Sequence, residues 1–268
     1  MSNSVSGFKS LRFAVALTLM GVLSACTTPP SGDADARAAY EEANDPFEPA
    51  NRLVFSANVM VDQLVLQPAA VTYRDLFPDA LKPPVQNFFT NLFMPLSFIH
   101  AMLQGDTDRA EQAAARFFTA LPTLLLANTM PEQDPVFEDG GQTLAVWGFE
   151  EGPYVMLPLL GPSSVRDTTG TIADFFLDPV GWLLSTEASI GRAAANATLT
   201  RSRNLEQVRD LQANSLDYYA AVRSLYRQQR EALIRNGASE PIQPAPTIGL
   251  ELDEPPAGPE NKETAAGN

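Results

Sequence analysis

The chain has 268 residues, a net charge of −14, and a single cysteine and a single histidine. That length suits about one domain plus appendages. The acidity argues against nucleic acid as a partner and against electrostatic attraction to anionic headgroups. One cysteine and one histidine exclude a disulfide framework and argue against a transition-metal site.

Residues 1–25 read as an export signal. Lys9 and Arg12 form a short basic segment, and an apolar run from Phe13 to Val22 follows. A run of about ten residues is half of the roughly 20 needed to span a bilayer, and suits a signal peptide. It ends Leu23-Ser24-Ala25-Cys26, which matches the bacterial lipobox, so Cys26 is the expected lipidation site, carrying diacylglycerol on sulfur and an N-acyl chain on its freed amine. Cleavage removes Lys9 and Arg12 and no acidic residue, making the mature chain two units more negative. With no polybasic patch, a second membrane-seeking feature has to be apolar. Thr27 follows the cysteine instead of the Asp that resembles an inner-membrane retention signal, which favours the outer membrane.

Residues 26–43 read as the lipidated N-terminus and a linker, 44–237 as the folded domain, and 238–268 as an acidic, proline-rich disordered tail. The domain opens on Asp45-Pro46-Phe47-Glu48, which predicts a helix start: Asp45 as cap, Pro46 in the first turn, Glu48 reaching back. Leu53, Val54, Ala57 and Val61 continue at helical spacing. Further starts are expected at Asp106-Thr107-Asp108 and at Ser163-Ser164, and a last helix over about 215–236. Tyr154 to Leu160 is the best strand candidate. The fold class is all-α or nearly so.

The stretch from Pro83 to Gly105 carries no charge. Phe88, Phe89, Leu92 and Phe93 share one helical face, and Phe98, Ile99, Met102 and Leu103 another, with Pro95 between them. Asn87, Asn91, His100 and other polar residues recur too densely for a lipid-facing span. The expectation is two short amphipathic helices meeting at Pro95. Phe88, Phe89, Asn91, Leu92, Phe93, Phe98 and Ile99 are the candidate membrane-embedding or channel residues; a buried helix pair is the plainer alternative. The apolar stretch from Phe117 to Met130 contains Pro122 and is likewise unsuited to a simple span.

Next comes a Gly/Pro-rich segment, expected to be a structured loop and lacking the terminus of a phosphate-binding loop. An enzyme reading, a phospholipase above all, finds no Gly-x-Ser-x-Gly elbow. His100 sits in an apolar helical stretch, where a packed or hydrogen-bonded role is the plainer one. Asp134, Glu138 and Asp139 read as a solvated acidic face.

Two long boxes carry a family resemblance. The first is Asn44-Asp45-Pro46-Phe47-Glu48 with Asn51-Arg52. The second runs through Gly141-Gln142-Thr143-Leu144, Trp147-Gly148, Gly152-Pro153-Tyr154, Leu157-Pro158, Gly161-Pro162-Ser163 and Arg166-Asp167. Together, over about 44–237, they resemble the MlaA (VacJ) outer-membrane lipoprotein family, with departures at Ala50, Gly140 and Ala145. The resemblance implies a ring-like helical domain in the inner, periplasmic leaflet of the outer membrane, around an amphipathic channel. It implies removal of mislocalised phospholipids from the outer leaflet, preserving lipid asymmetry. The implied partners are phospholipid, a trimeric porin, and a periplasmic lipid carrier linked to an ABC transporter. No metal or dissociable cofactor and no catalysis is expected; a structural lipoprotein that scaffolds porins is the alternative.

Overall fold

The computed structural model describes residues 43–236. The expected signal peptide, the lipidated Cys26, most of the linker, Gly237 and the tail lie outside the described residues.

Helix α1 (Glu48–Val61) runs through a π turn (Asp62–Leu66) into α2 (Gln67–Leu76). A 3₁₀ turn at Asp79–Leu81 leads into α3 (Lys82–Gln104), which folds back on α4 (Thr107–Ala120). An irregular segment then reaches α5 (Gly140–Val146). Strands β1 (Tyr154–Leu157) and β2 (Gly161–Ser164) pair antiparallel, with Tyr154 opposite Ser164 and Leu157 opposite Gly161. Helices α6 (Val165–Leu177), α7 (Pro179–Leu183), α8 (Thr186–Arg203), α9 (Leu205–Asn214) and α10 (Tyr218–Ile234) complete the domain. The nearly all-α expectation holds, with one small hairpin.

Local chemistry explains several boundaries. Asp106 accepts from the Arg109 amide, and Ser164 from the Asp167 amide, as N-caps of α4 and α6. Gly105 ends α3 at φ 79°, a left-handed conformation that suits glycine. Asp217 caps α10, so the last helix begins at Tyr218 instead of Ser215.

Two expectations fail. Pro95 does not break its stretch; α3 is one continuous 23-residue helix with Pro95 inside it. The proline removes a single backbone bond, at a cost of about 3 kcal/mol. Packing offsets that: α3 lies along α4, burying Met94, Ser97 and Ala101 on one helix and Ala110, Ala113 and Ala120 on the other. Small side chains let the two helices approach closely along their length.

Asp45 does not cap the first helix either. The cap position is Phe47, with no side-chain bond, and α1 begins at Glu48, so Pro46 precedes it and Glu48 turns to Arg52 instead of reaching back. Asp45 is buried and accepts from the Asn51 amide, the Tyr219 hydroxyl and Arg223. A carboxylate with three donors around it is worth more to the fold there than at a helix end.

The core is small. Tyr154, Met156 and Tyr219 form its centre, with Val54, Phe55 and Tyr226 packed on it. Among the described residues, polar and charged side chains match apolar ones in the buried set, and five of the buried apolar residues are alanines. Thirty large apolar side chains among the described residues are exposed. For a domain of this size that distribution is turned outward.

Candidate lipid-facing surface and the networks beneath it

The apolar exterior begins on α1. From Glu48 to Leu76 the chain is helical over 29 residues, and is the one described stretch long and apolar enough to cross a membrane. Only Asn51 and Ala70 in it are buried. Leu53, Leu64 and Leu76 are 74%, 72% and 78% exposed, with Met60 and Val65 between them. A second exposed group comprises Ile172, Phe175 and Phe176 on α6, Trp182 and Leu183 on α7, and Ile190 on α8. A third lies at the end of α4 and beyond, at Phe118, Leu121, Leu124 and Leu126.

The inward face of α1 carries two asparagines beside the core-packed Val54 and Phe55, and they hold the hairpin. Asn51 and Asn58 stand two turns apart on one face. Asn51 donates to the Tyr154 carbonyl at 3.1 Å and accepts from the Met156 amide at 2.9 Å. Asn58 donates to the Leu157 carbonyl at 2.9 Å and accepts from the Leu159 amide at 2.8 Å. Two side-chain amides thus act as a pairing strand for the outer edge of β1, leaving that edge closed.

Beneath the apolar surface lie three charge networks. In the first, Asp45 is held by Asn51, Tyr219 and Arg223, and Arg52 lies 4.5 Å over the Tyr219 ring. Burial and the bond to Asp45 push the Tyr219 hydroxyl well above the usual phenol range. In the second, Arg230 on α10 grips Asp139 with two bonds of 2.6 Å, while Asp167 takes the Tyr226 hydroxyl and lies 2.8 Å from the Arg230 Nε. Burial would raise the Asp139 carboxyl, but Arg230 and the Gln142 amide outweigh it and hold it below its ordinary value. In the third, buried Glu138 receives Arg109 at 2.6 Å and Gln104 at 2.9 Å.

The solvated acidic face expected at Asp134, Glu138 and Asp139 is therefore overturned for two of its members. Glu138 is buried with Arg109, and Asp139 caps α5 while pairing with Arg230. Their cationic partners lie 29 and 91 residues away in sequence, beyond the reach of local pattern reading.

The candidate residues of α3 divide. Phe88, Phe89, Leu92, Phe93 and Ile99 are half-buried, and Phe98 is 38% exposed. Asn91 is buried and donates to the carbonyls of Leu125 and Ala127, so it ties down the segment after α4. Arg192 stands 5.5 Å over the Phe93 ring and pairs with Asp178. His100 is buried, its Nδ1 2.9 Å from the Thr143 hydroxyl and its Nε2 2.9 Å from Asp174, the latter outside hydrogen-bond geometry. It is a packed, hydrogen-bonded residue.

The Gly/Pro-rich boxes resolve into contacts. Gly140 and Gly141, at the start of α5, meet Gly170 in α6; a Cβ on Gly140 would lie 2.5 Å from the Gly170 carbonyl oxygen. Gln142 is buried and donates to the Phe137 carbonyl, and Thr143 bonds back to the Asp139 carbonyl. The exposed Trp147 donates through its indole to the Leu103 carbonyl. Gly148, Gly152 and Gly161 sit at φ 90°, 69° and 88°, and the Pro153 carbonyl accepts from Val165. Tyr154 is fully buried, and Pro162 lines a groove beside α1.

Sequence reading missed the exposed face of α1 and α2, whose signal was the leucine and valine run through Leu53, Val61, Leu64 and Val65. It also missed Asp62 with Arg201, Asp178 with Arg192, and the Arg223 and Arg230 anchors on α10.

Comparison with known proteins agrees with this architecture. A family model described as MlaA lipoprotein matches residues 43–233. The intermembrane phospholipid transport system lipoprotein MlaA of Escherichia coli (strain K12) is 30% identical over 233 residues, covering 83% of this chain and 91% of its own. The protein of the same description from Haemophilus influenzae is 26% identical, covering 73% and 81%. A solved structure described as "Structural basis for maintenance of bacterial outer membrane lipid asymmetry" superposes with a TM-score of 0.63 at 32% identity, covering 71% of this chain and 98% of its own. This chain belongs to the MlaA lipoprotein family.

Proposed function

We propose that this protein is an outer-membrane lipoprotein that takes mislocalised phospholipid out of the outer leaflet and passes it towards the periplasm, maintaining lipid asymmetry. Anchored through acyl chains on Cys26, the domain sits in the inner leaflet of the outer membrane, and its role is transport instead of catalysis. An amphipathic channel carries the lipid, a trimeric porin holds the domain in place, and a periplasmic carrier linked to an ABC transporter receives the cargo. The related proteins described as phospholipid transport lipoproteins support the reading.

The observation that carries it is the reversed distribution of apolar area. The 29-residue helix from Glu48 to Leu76 has two fully buried side chains and presents an exposed apolar face that suits a membrane. Its charged residues turn inward or pair along its surface: Asp62 to Arg201, Arg52 to Glu48 and Asp217, Arg74 to Asp75 and Glu206. Such a face suits acyl chains, while the polar interior suits a headgroup path.

Glutamate at the exposed Leu53 and Leu64 tests this. Expression of Leu53→Glu/Leu64→Glu in place of the wild type is expected to leave the domain folded and lipidated but to raise surface-exposed phospholipid. Unchanged asymmetry and membrane integrity in that strain count against lipid embedding through α1.

A further inference from the structure

A groove of about 220 Å³ lies beside the hairpin, between α1, the π turn, β2, α8, α9 and α10. Phe55, Val59, Met156, Pro162, Val208 and Tyr218 give it apolar walls. One ion pair stands in it: Arg201 on α8 meets Asp62 with Nε to Oδ1 at 2.8 Å and Nη2 to Oδ2 at 2.9 Å. The Arg201 side chain is 11% exposed and that of Asp62 is 26% exposed.

The pair is incomplete on the arginine side. Nη1 of Arg201 is buried and has no hydrogen-bond partner. Buried guanidinium donors are ordinarily satisfied, so this arginine keeps capacity for a further acceptor. Asp62 opens the π turn Asp62–Leu66. The wider turn shifts the register of the helix face, a feature frequent at functional sites. Asp62 itself keeps lone pairs that Arg201 does not occupy.

The chemistry of the acceptor follows from the pair. A dianion such as inorganic phosphate, or an anionic headgroup, meets a carboxylate beside the one cation. A zwitterion does not, because it lies antiparallel to the pair with each charge opposite its counterpart. We propose that this groove is a headgroup site for a zwitterionic phospholipid, with phosphate on the Arg201 guanidinium and the ammonium on Asp62. The groove holds a headgroup and not two acyl chains. The chains leave past the exposed Leu159 and Leu160 at the hairpin turn, next to Gly161 on the groove wall. The assignment rests on the transport reading and adds to it a place and a headgroup class.

A photoreactive residue in place of Gln212, which lines the groove, and another in place of Leu64, on the exterior, test it in the full-length lipoprotein. Each protein is reconstituted in vesicles of phosphatidylethanolamine or of phosphatidylglycerol, and lipid adducts are counted by mass spectrometry. At position 212 phosphatidylethanolamine adducts are expected to exceed phosphatidylglycerol adducts several-fold. They are expected to fall about a hundredfold in Asp62→Asn/Arg201→Gln, the loss of two charge-assisted hydrogen bonds. Arg201→Lys keeps the charge without the forked donors and is expected to fall between the two, which holds the test open if the double variant unfolds. Position 64 is expected to label with both lipids in every variant. Equal labelling of both lipids at 212, unaffected by the variants, or labelling abolished by excess inorganic phosphate, overturns the headgroup site and leaves the transport reading intact. No lipid adduct at either position overturns both.

Discussion

At the scale of single residues, the domain is held by a few buried carboxylates, each given two or three donors from distant parts of the chain. Asp45 joins Asn51, six residues away, to Tyr219 and Arg223, 174 and 178 residues away. Asp45→Ala strands the Arg223 charge and the Tyr219 hydroxyl, and is expected to cost about 3–5 kcal/mol, read as a lower midpoint in thermal or urea unfolding in detergent. A change below 1 kcal/mol contradicts the assignment of Asp45 as an anchor. Asp139 adds an acid sensitivity. Its carboxyl is held below the ordinary value in the folded state, so its contribution is present above the unfolded pKa near 4 and is lost as pH falls through the depressed folded value. Arg230→Gln removes the partner and is expected to move acid unfolding to higher pH, with little change in its own pH dependence above about pH 5. The tyrosines add an alkaline sensitivity in the opposite sense. Burial raises Tyr154, Tyr219 and Tyr226, so stability is complete below the unfolded phenol value near 10 and declines above it.

At the scale of elements, legibility followed the range of the interaction. The caps at Asp106 and Ser164 are local, set within four residues, and were legible, as was the strand from Tyr154, although its partners lie on β2 and α1. Asp45-Pro46 looked like a cap for the same local reasons, and a network closing from the far end of the chain claimed the carboxylate instead. Pro95 looked like a break because its backbone cost is local, whereas the α3–α4 packing that outweighs it is not. The glycines of α5 were visible as a cluster, but their partner Gly170 was not. A Cβ on Gly170 would come within 2.5 Å of the Gly140 carbonyl carbon, backbone that has no room to yield. Gly170→Ala is therefore expected to part α5 from α6 and to cost more than the 1–3 kcal/mol typical of overpacking. The check is the unfolding midpoint together with loss of the Asp139–Arg230 pairing, seen as a higher acid-unfolding pH. A neutral effect contradicts the close crossing.

At the scale of the molecule, the family was legible from two motif boxes, and the exposed apolar residues were not. The uncharged stretch around α3 drew attention because charge was absent from it, yet its polar residues are spent on internal bonds and its aromatics are half-covered. The exposed helix from Glu48 to Leu76 carries charges, which made it look less apolar, although Asp62 turns into the protein towards Arg201. Only the folded arrangement separates the exposed apolar face from the face that closes on the hairpin. The central claim is that this domain clears phospholipid from the outer leaflet. The most direct measurement is surface-exposed phospholipid on intact cells, read as release by an added phospholipase, with and without the gene and with porin levels monitored alongside. The account predicts a rise on deletion, restored by the wild-type chain, with porin trimers unchanged. Normal surface phospholipid with loss of porin trimers would contradict it and make the protein a scaffold.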